Sequence, residues 1–145
     1  MEGMSTIVKK VTQLVAGLIF IYGIYIILHG HLTPGGGFAG GAIIAGAFIL
    51  LILAFGSNAL KLKKEVKGSS NTESVAILMV VILACMALLF GAKVFFGNFA
   101  GKGNPGELLS AGVIPLYNIF IGIEVAGAIL TIFLALVIFK EESSK

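Results

Sequence analysis

Arginine and aspartate are both absent from this 145-residue chain. Its charge is carried by ten lysines and seven glutamates, 12% of the residues. A soluble domain has roughly a quarter of its residues charged, so this composition cannot cover a water-facing surface. Without guanidinium groups the chain has no planar fork for phosphate. The net charge of +3 therefore reads as membrane topology and excludes nucleic acid as a partner. The single cysteine, Cys85, lies inside an apolar run, which excludes a disulfide within the chain and a thiolate metal site. It reads as small packing filler.

What fills the chain instead is apolar: 58% of the residues are hydrophobic. The long runs are Val11 to Leu28, Phe38 to Phe55, Val75 to about Val94, and Val113 to Phe139. None alternates with the period of a barrel strand, and each is long enough to cross a bilayer as a helix. Backbone groups in lipid must be satisfied within the segment, so helices are the expectation. The first run follows Lys9 and Lys10 but ends in His29-Gly30-His31 without a small-x-small cleavage pattern. It reads as a retained helix and not as a signal peptide.

Four crossings place both termini on one side, together with the Gly56–Ser74 stretch. That side holds Lys9, Lys10, Lys61, Lys63, Lys64, Lys67, Lys140 and Lys145; the other keeps Lys93 and Lys102. The lysine bias predicts cytoplasmic termini. Gly68-Ser69-Ser70-Asn71 reads as a solvated turn, with Asn71 or Thr72 capping the third helix and Glu73 near its positive end. The lysines of this stretch also suit anionic lipid headgroups.

Between the first two runs the chain reads His29-Gly30-His31-Leu32-Thr33-Pro34-Gly35-Gly36-Gly37-Phe38-Ala39-Gly40-Gly41. Pro34 pushes Thr33 towards extended geometry, and three glycines follow, so this loop is non-helical. Such backbone is tolerated near membrane depth only where protein or a water-filled cavity surrounds it. No Lys-Ser/Thr follows the glycines, so a nucleotide-phosphate loop is excluded. Two readings are compatible: tight helix packing and an ion path. Gly37, Gly41 and Ala45 form a small-xxx-small ridge, and Ala42 with Gly46 forms another. His29, His31 and Thr33 are candidates for the ion path, the histidines as a pH-responsive pair; His-x-His alone is a weak metal signal.

A second unusual stretch runs from Lys93 to Pro115. Phe95, Phe96 and Phe99 suit the membrane interface, and Asn104-Pro105-Gly106 marks a turn. Leu108 to Pro115 is apolar but too short to span, and reads as an interfacial or re-entrant lead into the last helix.

Glu124 is a charge inside the last apolar run. Counting 20 residues back from Lys140 puts it about 6–7 Å below the outer boundary. A carboxylate in hydrocarbon costs on the order of 2–3 kcal/mol at the bilayer centre and less near its edge. Gly127 and Ala128 lie on its side of the helix, so it can face another helix. Glu124 is an ion-path candidate, or a hydrogen-bonded group serving assembly. Lys93, one residue before the predicted end of the third helix, either snorkels to the interface or serves as a charge partner for Glu124 or for a neighbouring subunit. Tyr22, Tyr25 and Gln13 add polar atoms to the first helix but no constellation. There is no nucleophile–base pair, metal-ligand set or cofactor motif, so catalysis by this chain is not expected.

The stretch from Gly30 to Gly41, and Pro115-Leu116-Tyr117-Asn118 followed by Ile121-Gly122, resemble the MnhB/MrpB family. Its members are the B subunits of Mrp-type multisubunit Na+/H+ antiporters. The resemblance runs from about Val11 to Val137. It implies one all-α transmembrane domain over residues 1–145, with spans near 11–28, 38–55, 75–94 and 116–139. The signature positions are Thr33, Pro34, Gly35, Gly36, Gly37, Phe38, Gly40 and Gly41; Ala39 stands where the family pattern has Gln, so position 39 offers no polar group. Implied partners are other Mrp-type subunits, including complex I-like antiporter subunits, and membrane lipid. No cofactor is implied for the chain itself, with Na+ and H+ as transported ions. Related subunits occur in archaeal membrane-bound hydrogenases and sulfur reductases, so redox subunits are an alternative setting. The implied location is a prokaryotic plasma membrane.

Overall fold

The computed structural model describes residues 4–56, 62–108 and 110–143. They form four helices, α1 (Thr6–Leu28), α2 (Gly36–Phe55), α3 (Leu62–Leu89) and α4 (Ile114–Ser143). Each contains an apolar stretch long enough to cross a bilayer, of 23, 20, 24 and 27 residues in chain order. The chain is a multi-pass membrane protein. Lys61 and Lys145, two of the lysines used to predict topology, lie outside the described residues.

Local chemistry sets the helix ends. The Ser5 hydroxyl accepts from the Val8 amide at the start of α1, satisfying one otherwise orphaned donor. Gly56 ends α2 with φ +85, its amide bonded to the Ile52 carbonyl, the left-handed closure that glycine favours. Pro115 occupies the first turn of α4, where its missing N–H costs no helical bond. The Met4 amide donates to the Ala54 carbonyl at 2.9 Å. Lys9 reaches over the Phe55 ring. Ile52 of α2 packs with Leu134 and Val137 of α4. The start of α1 and the ends of α2 and α4 therefore share one end of the bundle.

The glycine ridge of α2 is its packing surface, facing two helices at once. A Cβ on Gly40 would meet the Gly23 carbonyl of α1 at 2.8 Å. One on Gly41 would meet the Gly122 carbonyl of α4 at 2.5 Å and Val125 Cβ at 3.0 Å. Small residues let backbones approach, and in lipid that close packing replaces the hydrophobic drive. The expected Ala42–Gly46 ridge is not used in this way: nothing comes within 4 Å of a Cβ at Gly46.

The largest correction concerns α3. Gly68-Ser69-Ser70-Asn71 is neither a turn nor a cap; it lies inside a helix that begins at Leu62. Glu73 stands eleven residues into that helix, not at its start. The hydroxyls that favour turns are absorbed here. Ser69 is buried and donates to the Gly127 carbonyl of α4 at 2.9 Å. Thr72 and Ser74 donate back to the Gly68 and Ser70 carbonyls, the i−4 bonding that lets such residues persist in helices. Gly127 in turn leaves room for α3: its Cβ would meet the Ser69 carbonyl at 3.2 Å and Glu73 Cβ at 3.4 Å. Ser69→Ala is expected to loosen this seam by about 1 kcal/mol. A thermal shift in detergent reads it, and an unchanged transition would mean that the hydroxyl is dispensable.

Candidate functional site

The predicted non-helical loop is present only from His29 to Gly35, tied down by its own backbone; Gly36 to Gly41, read from the sequence as part of it, already belong to α2. Leu32 and Thr33 amides both donate to the His29 carbonyl, and the Thr33 hydroxyl donates to it at 3.1 Å. Gly35 has φ +127 and Gly36 φ +62, conformations that glycine adopts at least cost. These two residues turn the chain straight into α2.

Asn118, in the second turn of α4, holds that turn from the other side. Its side-chain oxygen accepts from the Gly37 amide at 3.4 Å, a donor that the helix itself leaves free. Gly30 also lies against it: a Cβ there would sit 2.7 Å from the Asn118 amide nitrogen. That nitrogen is buried without a partner. Sequence reasoning quoted Asn118 in a motif but assigned it no role. The available signal was an amide at the start of a long apolar run, where burial demands a hydrogen bond. Asn118→Leu is expected to strand the Gly37 amide and destabilise the loop by about 1–3 kcal/mol. Faster limited proteolysis between α1 and α2 would show this.

The histidines diverge. His29 hydrogen-bonds the Tyr25 carbonyl at 3.0 Å and stacks on the Tyr25 ring at 4.1 Å. His31 points the other way, its Nε2 at 3.3 Å from the Glu107 carbonyl of the α3–α4 segment. Its Nδ1 is buried without a partner. Phe38 is 67% exposed, so this signature ring points out of the bundle.

Glu124 is half-buried on α4. Its helical neighbours Gly122 and Val125 take Gly41 of α2, and Gly127 takes Ser69 and Glu73 of α3. Gly41 lies five residues on from Gly36, about 7.5 Å of helical rise, and Glu124 stands at that height. Lys93 is not brought beside it. α3 ends at Leu89, sixteen residues or about 24 Å of rise beyond Glu73. Lys93 follows in an exposed, irregular segment, not inside a helix as predicted. That segment folds back on the start of α4: Phe96 packs on Tyr117 at 5.5 Å, and the Asn98 side chain accepts from the Val113 amide at 3.1 Å. Glu73, read from sequence as a cap neighbour, is a second half-buried carboxylate.

The structure thus joins the glycine loop, Asn118 and the N-terminal half of α4, and leaves Lys93 apart from them.

Comparison with known proteins gives these features a context. A model described as a domain related to the MnhB subunit of Na+/H+ antiporter matches residues 7–131. A Staphylococcus epidermidis protein that carries the name antiporter subunit mnhB2 is 31% identical over 138 residues, covering 94% of this chain and 96% of that protein. A protein of Methanocaldococcus jannaschii is 36% identical over 132 residues, 88% of this chain but 50% of its own length. The chain thus spans about half of that archaeal relative. A chain from the structure of the membrane-bound sulfane sulfur reductase, an archaeal respiratory membrane complex, superposes with a TM-score of 0.71 at 35% identity. That match covers 89% of this chain and 56% of the other. With the family model spanning most of its length and a bacterial subunit matching end to end, the chain belongs to the MnhB family of Na+/H+ antiporter subunits.

Proposed function

We propose that this protein is one membrane subunit of a multisubunit Mrp-type cation/proton antiporter module, where it contributes to Na+ and H+ translocation and to subunit packing. The observation that carries the reading is the position of Glu124. A half-buried carboxylate lies on α4 one turn before Gly127, the residue that receives Ser69 and Glu73 of α3, while Gly122 and Val125 take the glycine ridge of α2 on another face. An ionisable group at such depth faces a bundle interior, a cavity or a partner far more often than lipid. Glu124 takes or passes a cation or proton at the outer end of the bundle, and the loop held by Asn118 keeps α4 in place. His31, with a buried ring nitrogen open to a partner, and Thr33 line the approach.

In this reading the end shared by the start of α1 and the ends of α2 and α4 faces the cytoplasm. Lys9, Lys10 and Lys140 gather there, as the positive-inside rule requires. The test of the function is Na+/H+ exchange by vesicles carrying the complex with Glu124→Gln.

A second setting is favoured by the 35% identity and TM-score of 0.71 to a chain of the sulfane sulfur reductase. Here the same subunit serves the ion-handling part of a respiratory complex in a prokaryotic plasma membrane, with redox subunits attached. Mass spectrometry after mild-detergent purification separates the two settings. Iron–sulfur subunits among the co-purifying chains select the second, and membrane subunits alone select the first.

A further inference from the structure

α3 carries polar side chains on an open face at the level where its neighbours α2 and α4 are most apolar. Gly68, Ser69 and Thr72 line one cavity of about 690 Å³ together with Ile44 and Phe48 of α2 and Ala126 and Leu130 of α4. Ile44 and Phe48 are in the middle of the 20-residue α2, so this part of α3 is level with the centre of a membrane-spanning helix. At that height Lys67, Ser70, Asn71 and Ser74 are all exposed. Their spacing of three, four and seven residues from Lys67 puts them on a single helix face. That face looks away from the seam with α4, which uses Ser69 and Glu73.

Water is excluded from hydrocarbon, so an ammonium and an amide at mid-height require a polar neighbour. The stripe has the features of a helix-docking face. Ser70 and Ser74 are small and permit close backbone approach. Lys67 supplies one positive charge. Beside the stripe is a cavity of about 410 Å³, lined by Asn71, Val75 and Met79 of α3 with Phe120 and Ile123 of α4, which fits an apolar side chain.

We propose that Lys67, Ser70, Asn71 and Ser74 form the docking face for a transmembrane helix of a neighbouring subunit. That helix brings a carboxylate to Lys67 and an apolar side chain to the Asn71–Phe120 cavity. The inference rests on the proposed membership of a multisubunit complex and specifies which face of the chain meets the partner.

The experiment places a photo-reactive benzoylphenylalanine at position 71, and for comparison at Ile21, which is 65% exposed on α1, in the full chain within native membranes. Adducts are identified by mass spectrometry. The expected adduct at position 71 is a membrane-spanning segment of another polypeptide that contains Asp or Glu. Lys67→Glu then lowers recovery of that polypeptide by about tenfold, as loss of a desolvated charge pair would, while Lys67→Arg retains it. Recovery of this chain in the membrane fraction at wild-type level shows that the variants fold. Adducts at position 71 only to lipid, or only to a second copy of this chain, overturn the proposal. So does labelling of Asn71→Cys, in a Cys85→Ser background, by a membrane-impermeant maleimide in the intact complex. If the complex co-purifies intact but position 71 yields no partner, the docking face alone is wrong. If the chain purifies by itself, the multisubunit reading falls with it.

Discussion

Replacing Gly41 with leucine is expected to pry α2 from α4 and to remove the chain from any complex it forms. The reason is in the distances. Even a methyl group at position 41 meets the Gly122 carbonyl at 2.5 Å, Val125 Cβ at 3.0 Å and the Ala126 amide nitrogen at 3.2 Å. Two of those three atoms are backbone and cannot rotate away. Neither can α2 retreat towards α1, because Gly40 already lies against the Gly23 carbonyl and Ile27. Overpacking of a yielding core costs about 1–3 kcal/mol. Here both flanks are helix backbone, so the expected penalty is at the upper end or beyond it. Membrane helices associate chiefly through such packing, so the loss is not made up elsewhere. The measurement is recovery of the chain and its companions after mild-detergent extraction, with Gly46→Ala as control. Nothing lies within 4 Å of a Cβ at Gly46, and alanine improves helix propensity by up to about 1 kcal/mol. Normal recovery of Gly41→Leu would show that the glycine ridge is not an assembly surface.

The second large effect is expected at Glu124 and on transport alone. Glu124→Gln keeps the shape and most of the hydrogen-bonding capacity while removing the titratable charge. If the carboxylate takes part in ion passage, exchange falls by about tenfold or more, a barrier change of at least about 1.4 kcal/mol, while assembly is unchanged. A carboxylate that merely holds helices together gives the opposite pattern. Its loss then costs a hydrogen bond to a charged group, about 1.5–3 kcal/mol, so assembly falls while whatever complex still forms keeps its exchange. Glu124→Asp separates charge from reach: partial exchange is expected, since the charge remains but sits one methylene shorter. Full Na+/H+ exchange by the assembled Glu124→Gln complex would end the role proposed for this residue.

Much of this architecture was legible in the residues themselves. Four apolar runs without period-2 alternation can only be helices in lipid, and four long helices are present among the described residues. Thr33-Pro34 followed by three glycines announced a break between α1 and α2, because backbone preference there is local chemistry. The Gly37–Gly41 ridge was visible as a pattern of small residues. Its direction was not, since spacing shows which residues share a face but not what that face meets.

Where tertiary contact overrode local preference, sequence reasoning failed in an understandable way. Gly68-Ser69-Ser70-Asn71 has turn chemistry, yet Ser69 finds the Gly127 carbonyl and the neighbouring hydroxyls bond back along their own helix. The segment therefore stays helical, and Glu73 becomes an interior residue of α3. Lys93 moved out of α3 for the converse reason: that helix runs from Leu62 to Leu89, and the segment after it folds onto α4. Composition and periodicity by themselves determined that this is a four-helix membrane protein with a glycine-rich break, because burial of apolar groups and satisfaction of backbone bonds are properties of each segment. Only the tertiary structure decided the height of α3 against its neighbours, the clasp of Asn118 on Gly37 and the surroundings of Glu124. Those depend on which small residue meets which carbonyl across two helices, and no single segment carries that information.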